Sequence, residues 1–247
     1  MNKTAFIIGN GPSLNEIDIS LLADQDTMSF NRAYIAYEEW GFDPTYYLTI
    51  DGNTMLSVID DVHELVRSSN IKKFFILGQN GLIHHHPDRL LPTGDNVFHL
   101  EETAFPNSAT CVPDIQEING KLVYSILPNA GINGLAILRY LGYEEVAFVG
   151  QDARYVDDTE YRDVEVEGWG KYKSFENNDK NHFRSDYFGE DCYFGKPNQD
   201  QIISLWAGVK NWIDAQENFS VYSCTPNSNL NPYYKYIPLE QFIKGER

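Results

Sequence analysis

Short apolar runs alternate with amphipathic stretches along most of this chain. Thr4-Ala-Phe-Ile-Ile8 is a β-type run that breaks into Gly9-Asn-Gly-Pro-Ser13. Leu14 to Leu22 carries a mixed apolar pattern that predicts a short helix, with Ser13 as N-cap and Glu16 completing a capping box. Thr27–Phe30 and Tyr46–Ile50 predict two further strands, ending in Asn31-Arg32 and Asp51-Gly-Asn53. A helix over Met55 to Arg67 and a strand over Lys73 to Leu77 follow. Residues 79–128 show no sustained period. Order returns with a helix from about Ile132 to Leu141, stopped by Gly142, and a strand over Glu145 to Val149 that runs into Gly150-Gln-Asp152. Residues 153–200 are polar and poor in aliphatics and are read as a lid or insertion. A helix over 199–215, a strand at Phe219 to Tyr222 and a Pro/Asn-rich turn complete the pattern. Alternating β and α units predict one α/β domain over 1–247, with a mostly parallel sheet covered by helices on both faces.

Charge narrows the partners. Nineteen Lys and Arg against 36 Asp and Glu leave a formal net charge of −17. That argues against nucleic acid, whose binding rests on cations neutralising phosphates, and against adhesion to an anionic membrane. Apolar residues at 42% are too many for a disordered chain. Cys111, Cys192 and Cys224 are too scattered for a disulfide framework or a zinc site. No secretory or membrane-spanning stretch reads from the pattern, so the cytoplasm is the default.

In an open parallel sheet, ligands bind outside the carboxyl ends of the strands. The residues leaving those ends are Gly9-Asn-Gly-Pro-Ser13, Asn31-Arg32, Asp51-Gly-Asn53, Gly150-Gln-Asp152 and Thr225-Pro-Asn-Ser228. All are small and polar, as a nucleotide site requires. Glycines let backbone approach a ligand, and a following helix N-terminus suits a phosphate. Asn10 and Ser13 can donate to phosphate or ribose oxygens. The loop is neither a dinucleotide fingerprint, since Leu14-Asn15 lacks the third glycine, nor a P-loop, since no Gly-Lys follows.

A second constellation lies in Asn177-Asn-Asp-Lys-Asn-His182-Phe-Arg-Ser-Asp186-Tyr-Phe188. His182 with Asp186 can supply a general base and its orienting carboxylate. Tyr155, Tyr161 and Tyr187 accompany them and can bind phosphate without adding charge. Asp24-Gln-Asp26 precedes a strand, neighbouring His84-His-His86 side chains diverge, and Asp157-Asp158 reads as a solvated face. These three are set aside. Cys224 reads as a core thiol.

Phe6-Ile-Ile-Gly-Asn-Gly-Pro-Ser-Leu-Asn-Glu-Ile-Asp18 resembles the opening of the bacterial sialyltransferases of glycosyltransferase family 42, and equally that of the related MptE-like (6-hydroxymethylpterin diphosphokinase-like) proteins. The likeness continues at Phe30-Asn31, Leu141-Gly-Tyr-Glu-Glu-Val-Ala-Phe-Val-Gly-Gln-Asp152, Asn178-Asp-Lys-Asn-His182 and Val221-Tyr-Ser-Cys-Thr-Pro-Asn-Ser228, in family order. It implies a single Rossmann-like, GT-A-like domain with a lid, and inverting transfer from a CMP-linked sialic-acid-like donor to a glycan acceptor in bacterial surface-polysaccharide synthesis. By that resemblance Gly9, Asn10, Gly11, Ser13, Asn31, Asp51, Asn129, Gly131, Gly150, Asp152, Tyr155, Asn227 and Ser228 would line the nucleotide site; on the residues themselves His182 is the first choice for base, with Asp186 as orienter or substitute base. The family's base position falls on Asp186, its Thr-Ser-Gly stretch on Asn129-Ala-Gly131, and a site Tyr on Arg154, with Tyr155 adjacent.

A CMP leaving group needs no metal. A diphosphokinase using ATP would need Mg²⁺, for which Asp51 and Asp152 are the alternative ligands. A nucleotide-binding module without turnover is the third reading. A homo-oligomer and a peripheral place at the inner membrane remain open.

Overall fold

The computed structural model describes residues 3–78, 89–102, 115–118, 121–124, 129–156, 161–166, 169–174, 179–188, 193–195 and 198–247. Twelve strands are present there: β1 (Thr4–Ile8), β2 (Thr27–Phe30), β3 (Tyr46–Thr49), β4 (Lys73–Leu77), β5 (Val97–Glu102), β6 (Ile115–Ile118), β7 (Lys121–Tyr124), β8 (Glu145–Val149), β9 (Tyr161–Val166), β10 (Trp169–Ser174), β11 (Tyr193–Gly195) and β12 (Ser220–Ser223). The helices are α1 (Tyr37–Trp40), α2 (Gly52–Ser68), α3 (Ala130–Tyr140), α4 (Gln199–Asp214) and α5 (Leu239–Ile243). Nine strands form one sheet in the order β12-β8-β1-β2-β3-β4-β5-β7-β6, parallel except where β6 meets β7. The chain is a single α/β domain with a mostly parallel sheet.

Strand alternation divides the core. Ala5 and Ile7 of β1 pack on one face with Ile132, Leu135 and Leu138 of α3 and Trp206, Val209 and Ile213 of α4. Phe6 and Ile8 pack on the other with Met55, Val58, Ile59 and Val62 of α2 and Phe242 of α5. The α2 residues recur at helical spacing, and Asp51 starts that helix by accepting from Thr54 N at 2.8 Å.

Several expectations are corrected. The helix over Leu14–Leu22 is two 3₁₀ turns, Pro12–Glu16 and Ile19–Leu22. Ser13 lies inside the first turn, and the N-cap is Gly11 without a side-chain bond, so no capping box forms. The backbone is extended at Ile17 and Asp18, where Asp18 accepts from Ser20 N to start the second turn, and this breaks the helix in two. Residues 79–128, unreadable by period, hold β5, β6 and β7. The 153–200 segment carries an antiparallel sheet, β11-β10-β9. It is not wholly a lid outside the core, because Phe183 and Tyr187 are buried in the α2-side cluster. Cys224 is a buried thiol whose pKa burial pushes up to about 12. Cys111, Cys192, the His84–His86 triplet, Asp157, Asp158 and Asn177 lie outside the described residues.

Ala153 adopts φ +48°, a left-handed conformation that its Cβ disfavours. Ala153→Gly is expected to raise stability by roughly 0.5–1 kcal/mol, net of the glycine's greater unfolded-state freedom. A thermal melt should then shift up by roughly 1–4 °C.

Candidate active site at the sheet switch point

From β1 the chain builds the sheet outward through β2, β3, β4 and β5, then returns with β8 to the other flank of β1. The β1/β8 boundary is therefore the switch point of the sheet, the place where parallel α/β folds bind their ligands. Two sequence-predicted loops meet there. Gly9 N donates to Val149 O at 2.8 Å, and Gly11 N donates to Gly150 O at 2.9 Å. A Cβ on Gly9 would stand 2.3 Å from Gly150 O, and one on Gly11 would stand 1.9 Å from Asp152 Oδ2. These glycines are thus required by loop-against-loop packing, before any ligand is considered.

The polar groups of the first loop are largely engaged within the protein. Ser13 donates its hydroxyl to Asp152 Oδ2 at 2.6 Å. Asn10 donates from Nδ2 to Phe30 O at 3.2 Å and to Tyr187 Oη at 2.8 Å. A backbone carbonyl only accepts, so this fixes which amide atom is nitrogen. The expected donors to phosphate are therefore already used. What remains is a pair of acceptors: Asn10 Oδ1 and Asp152 Oδ1 are buried with no partner among the described residues. Buried acceptors without partners call for a ligand that brings donors, such as hydroxyls or amines.

The helix N-terminus expected after the first loop is also displaced. A single 3₁₀ turn there supplies little aligned dipole. The first turn of α3 takes that position: a Cβ on Gly131 would lie 2.9 Å from Gln151 Nε2, and Asn129 caps the helix by accepting from Ile132 N at 3.2 Å. Asn31 sits at the end of β2 with φ +50°, its carbonyl accepting from Tyr47 Oη at 2.7 Å. Ser228 donates to Gln151 O at 2.6 Å, while Asn227 is exposed with φ +54°. Tyr155 N donates to Gln199 Oε1 at 2.9 Å, and burial raises the Tyr155 hydroxyl to about 12. Asp51 is exposed, with Oδ1 engaged in capping α2. Among the described residues, no three His, Cys, Asp or Glu side chains converge as a metal site.

The segment around His182 packs against the first of these loops. Phe183 N donates to Asn10 O at 3.0 Å, and Asn15 Nδ2 donates to Phe183 O at 2.9 Å. The His182 ring stacks on Tyr187 with centroids 4.0 Å apart and planes within 3°, and Tyr187 in turn holds Asn10. His182 Nδ1 lies 2.7 Å from Asp179 Oδ2. Asp186 does not orient His182. Arg184 binds both of its oxygens at 2.8 Å and holds its carboxyl below the usual value, leaving a weak base. The signal for Asp179 was present in the sequence, three residues before His182. Spacing alone could not choose it over Asp186, because Arg184 decides the matter.

Burial pushes the Asp152 carboxyl above its ordinary value of 3.8, against the opposing bond from Ser13. The folded state therefore keeps this proton to higher pH than the unfolded chain. Its stabilising contribution is full below 3.8 and is lost as pH rises through the folded pKa. In melts recorded from acid to neutral pH, the stability of wild type relative to Asp152→Asn should decline across that window. A constant difference would show that Asp152 titrates alike in both states.

No family model matches the chain, and no curated protein matches it. Among solved structures, the MAf glycosyltransferase from Magnetospirillum magneticum AMB-1 aligns with a TM-score of 0.50 at 15% identity, over 92% of this chain and 32% of that one. Sialyltransferase CstII from Campylobacter jejuni aligns with a TM-score of 0.49 in complexes with CMP-3FNeuAc and with cytidine-5'-monophosphate. Identities are 13% and 15%, covering 96% of this chain and 87% and 85% of those. The likeness is one of fold: this chain has an α/β fold found in glycosyltransferases. No helix among the described residues is long and apolar enough to cross a membrane.

Proposed function

We propose that this chain is a glycosyltransferase that moves a sialic-acid-like sugar from a CMP-linked donor to a glycan acceptor in bacterial surface-polysaccharide synthesis. The observation that carries this reading is the juxtaposition of two features at the switch point of the sheet. One is a histidine paired with a buried carboxylate. The other is a pair of buried acceptors, Asn10 Oδ1 and Asp152 Oδ1, without a partner among the described residues, the first of them on a side chain linked to that histidine through Tyr187. Acceptors suit the ribose and sugar hydroxyls of a sugar nucleotide, and the first turn of α3 is the seat for its phosphate. Arg32, which acts electrostatically on both Tyr187 and Asp186, and Arg154, which acts on Asp152, are local cations in an acidic chain.

In the reaction, His182 Nε2 takes the proton of the acceptor hydroxyl as its oxygen bonds to the anomeric carbon. The bond from that carbon to the phosphate oxygen breaks, and CMP leaves with the electron pair. The leaving group is a monophosphate, so the chemistry needs no metal. The reaction takes place beside the sheet, in a protein acting in the cytoplasm or at the inner face of the membrane.

Calorimetry with CMP, CDP, ATP and GTP, each with Mg²⁺ and with EDTA, tests this. CMP binding that ignores EDTA is the expected result. The absence of CMP binding at millimolar concentration would overturn the CMP assignment. ATP binding that collapses on chelation would identify an MptE-like diphosphokinase instead.

A further inference from the structure

We infer that Asp179 is the positioning residue of the base, holding His182 in the tautomer that leaves Nε2 able to accept a proton. This rests on the reading of His182 as the base. An ionised carboxylate only accepts hydrogen bonds, so the 2.7 Å contact from Asp179 Oδ2 requires the imidazole proton on Nδ1. The lone pair then lies on Nε2, for which no described residue supplies a partner. A free histidine prefers the opposite tautomer, so the contact reverses an intrinsic preference.

The carboxylate is itself held. Its Oδ1 accepts from Asn181 N at 2.7 Å, and Asp179 N donates to Ser185 O at 3.0 Å. The Asp179 side chain is 3% exposed and that of His182 18%, so the pair is sheltered while the imidazole keeps an open edge. Tyr187 on one ring face and the edge contact of Phe188 at 4.9 Å keep the ring from turning. After proton transfer, the same carboxylate lies beside the imidazolium and stabilises it. Asp186 cannot take this part, since Arg184 occupies both of its oxygens.

Asp179→Asn tests the assignment, because the amide can keep both contacts. Its oxygen still accepts from Asn181 N, but its NH₂ now donates to Nδ1, which moves the imidazole proton to Nε2. Long-range nitrogen–proton NMR spectra, assigned by comparison with His182→Gln, report the tautomer without substrate. The expected result is Nδ1–H in wild type and Nε2–H in Asp179→Asn. In transfer assays with a CMP-linked sugar, kcat of the variant should fall about 10²- to 10⁴-fold with the donor KM nearly unchanged. A wild-type ring already protonated on Nε2 overturns the inference even if the variant does not fold. So does a variant whose kcat stays within about threefold of wild type, far short of a general-base effect. A wild type silent with every donor overturns the glycosyltransferase reading instead, and the spectrum still decides the placement of Asp179.

Discussion

His182→Gln should lower kcat about 10²- to 10⁴-fold, the span expected for loss of a general base, while CMP binding by calorimetry stays close to wild type. Separation of turnover from affinity is the point of the prediction. The nucleotide's proposed contacts lie on the loops after β1 and β8 and at the first turn of α3, whereas His182 is fixed by Asp179 and by stacking on Tyr187. Glutamine retains polarity and much of the volume, so the Phe183 and Asn10 backbone contact that ties the segment to the first loop should survive. Asp186→Asn is the matched control. Its carboxylate is engaged by Arg184, so its loss should cost little turnover. Should that control fall as far as His182→Gln, the proton acceptor is Asp186 and the base has been misassigned.

Gly9→Ala should damage the fold as well as the site. The added methyl would stand 2.3 Å from Gly150 O and 2.7 Å from Gln151 Nε2, the nearer of which is backbone and cannot swing aside. Separating the two loops would weaken the bond from Gly9 N to Val149 O and the neighbouring one from Gly11 N to Gly150 O. Overpacking of this kind costs about 2–3 kcal/mol, which would lower the melting temperature by roughly 4–12 °C. Nucleotide affinity should fall with it, since Asp152 and Asn10 are aimed by the same pair of loops. Calorimetry below the variant's melting transition measures that second effect separately from unfolding. A variant with unchanged melting and unchanged binding would mean that the two loops stand further apart than described here.

The parts of the fold legible in the sequence are those whose signal is local. β1, β4 and β8 are short apolar runs closed by polar turns, and α2 repeats its apolar residues at helical spacing. Such elements announce themselves because burial on a sheet or against one helix face imposes a period. β5 to β7 do not, since they lie toward one edge of the sheet and carry charged and polar residues within their short runs. The segment around Ser13 failed for another reason: a capping box is a local pattern, but Ser13 is claimed by Asp152, 139 residues away in sequence.

By itself the sequence determined the class of architecture, the strand ends where chemistry belongs, and the paucity of cations to meet an anionic ligand. Each of these follows from composition or from a repeat a few residues long. Only the tertiary structure decided which polar atoms at those strand ends remain available. It joined Ser13 to Asp152, turned the Asn10 amide inward, gave Asp186 to Arg184 and left Asp179 for His182. Hydrogen-bond partners are set by proximity in space, and each donor hydrogen used within the protein is withdrawn from a ligand. That competition has no period along the chain.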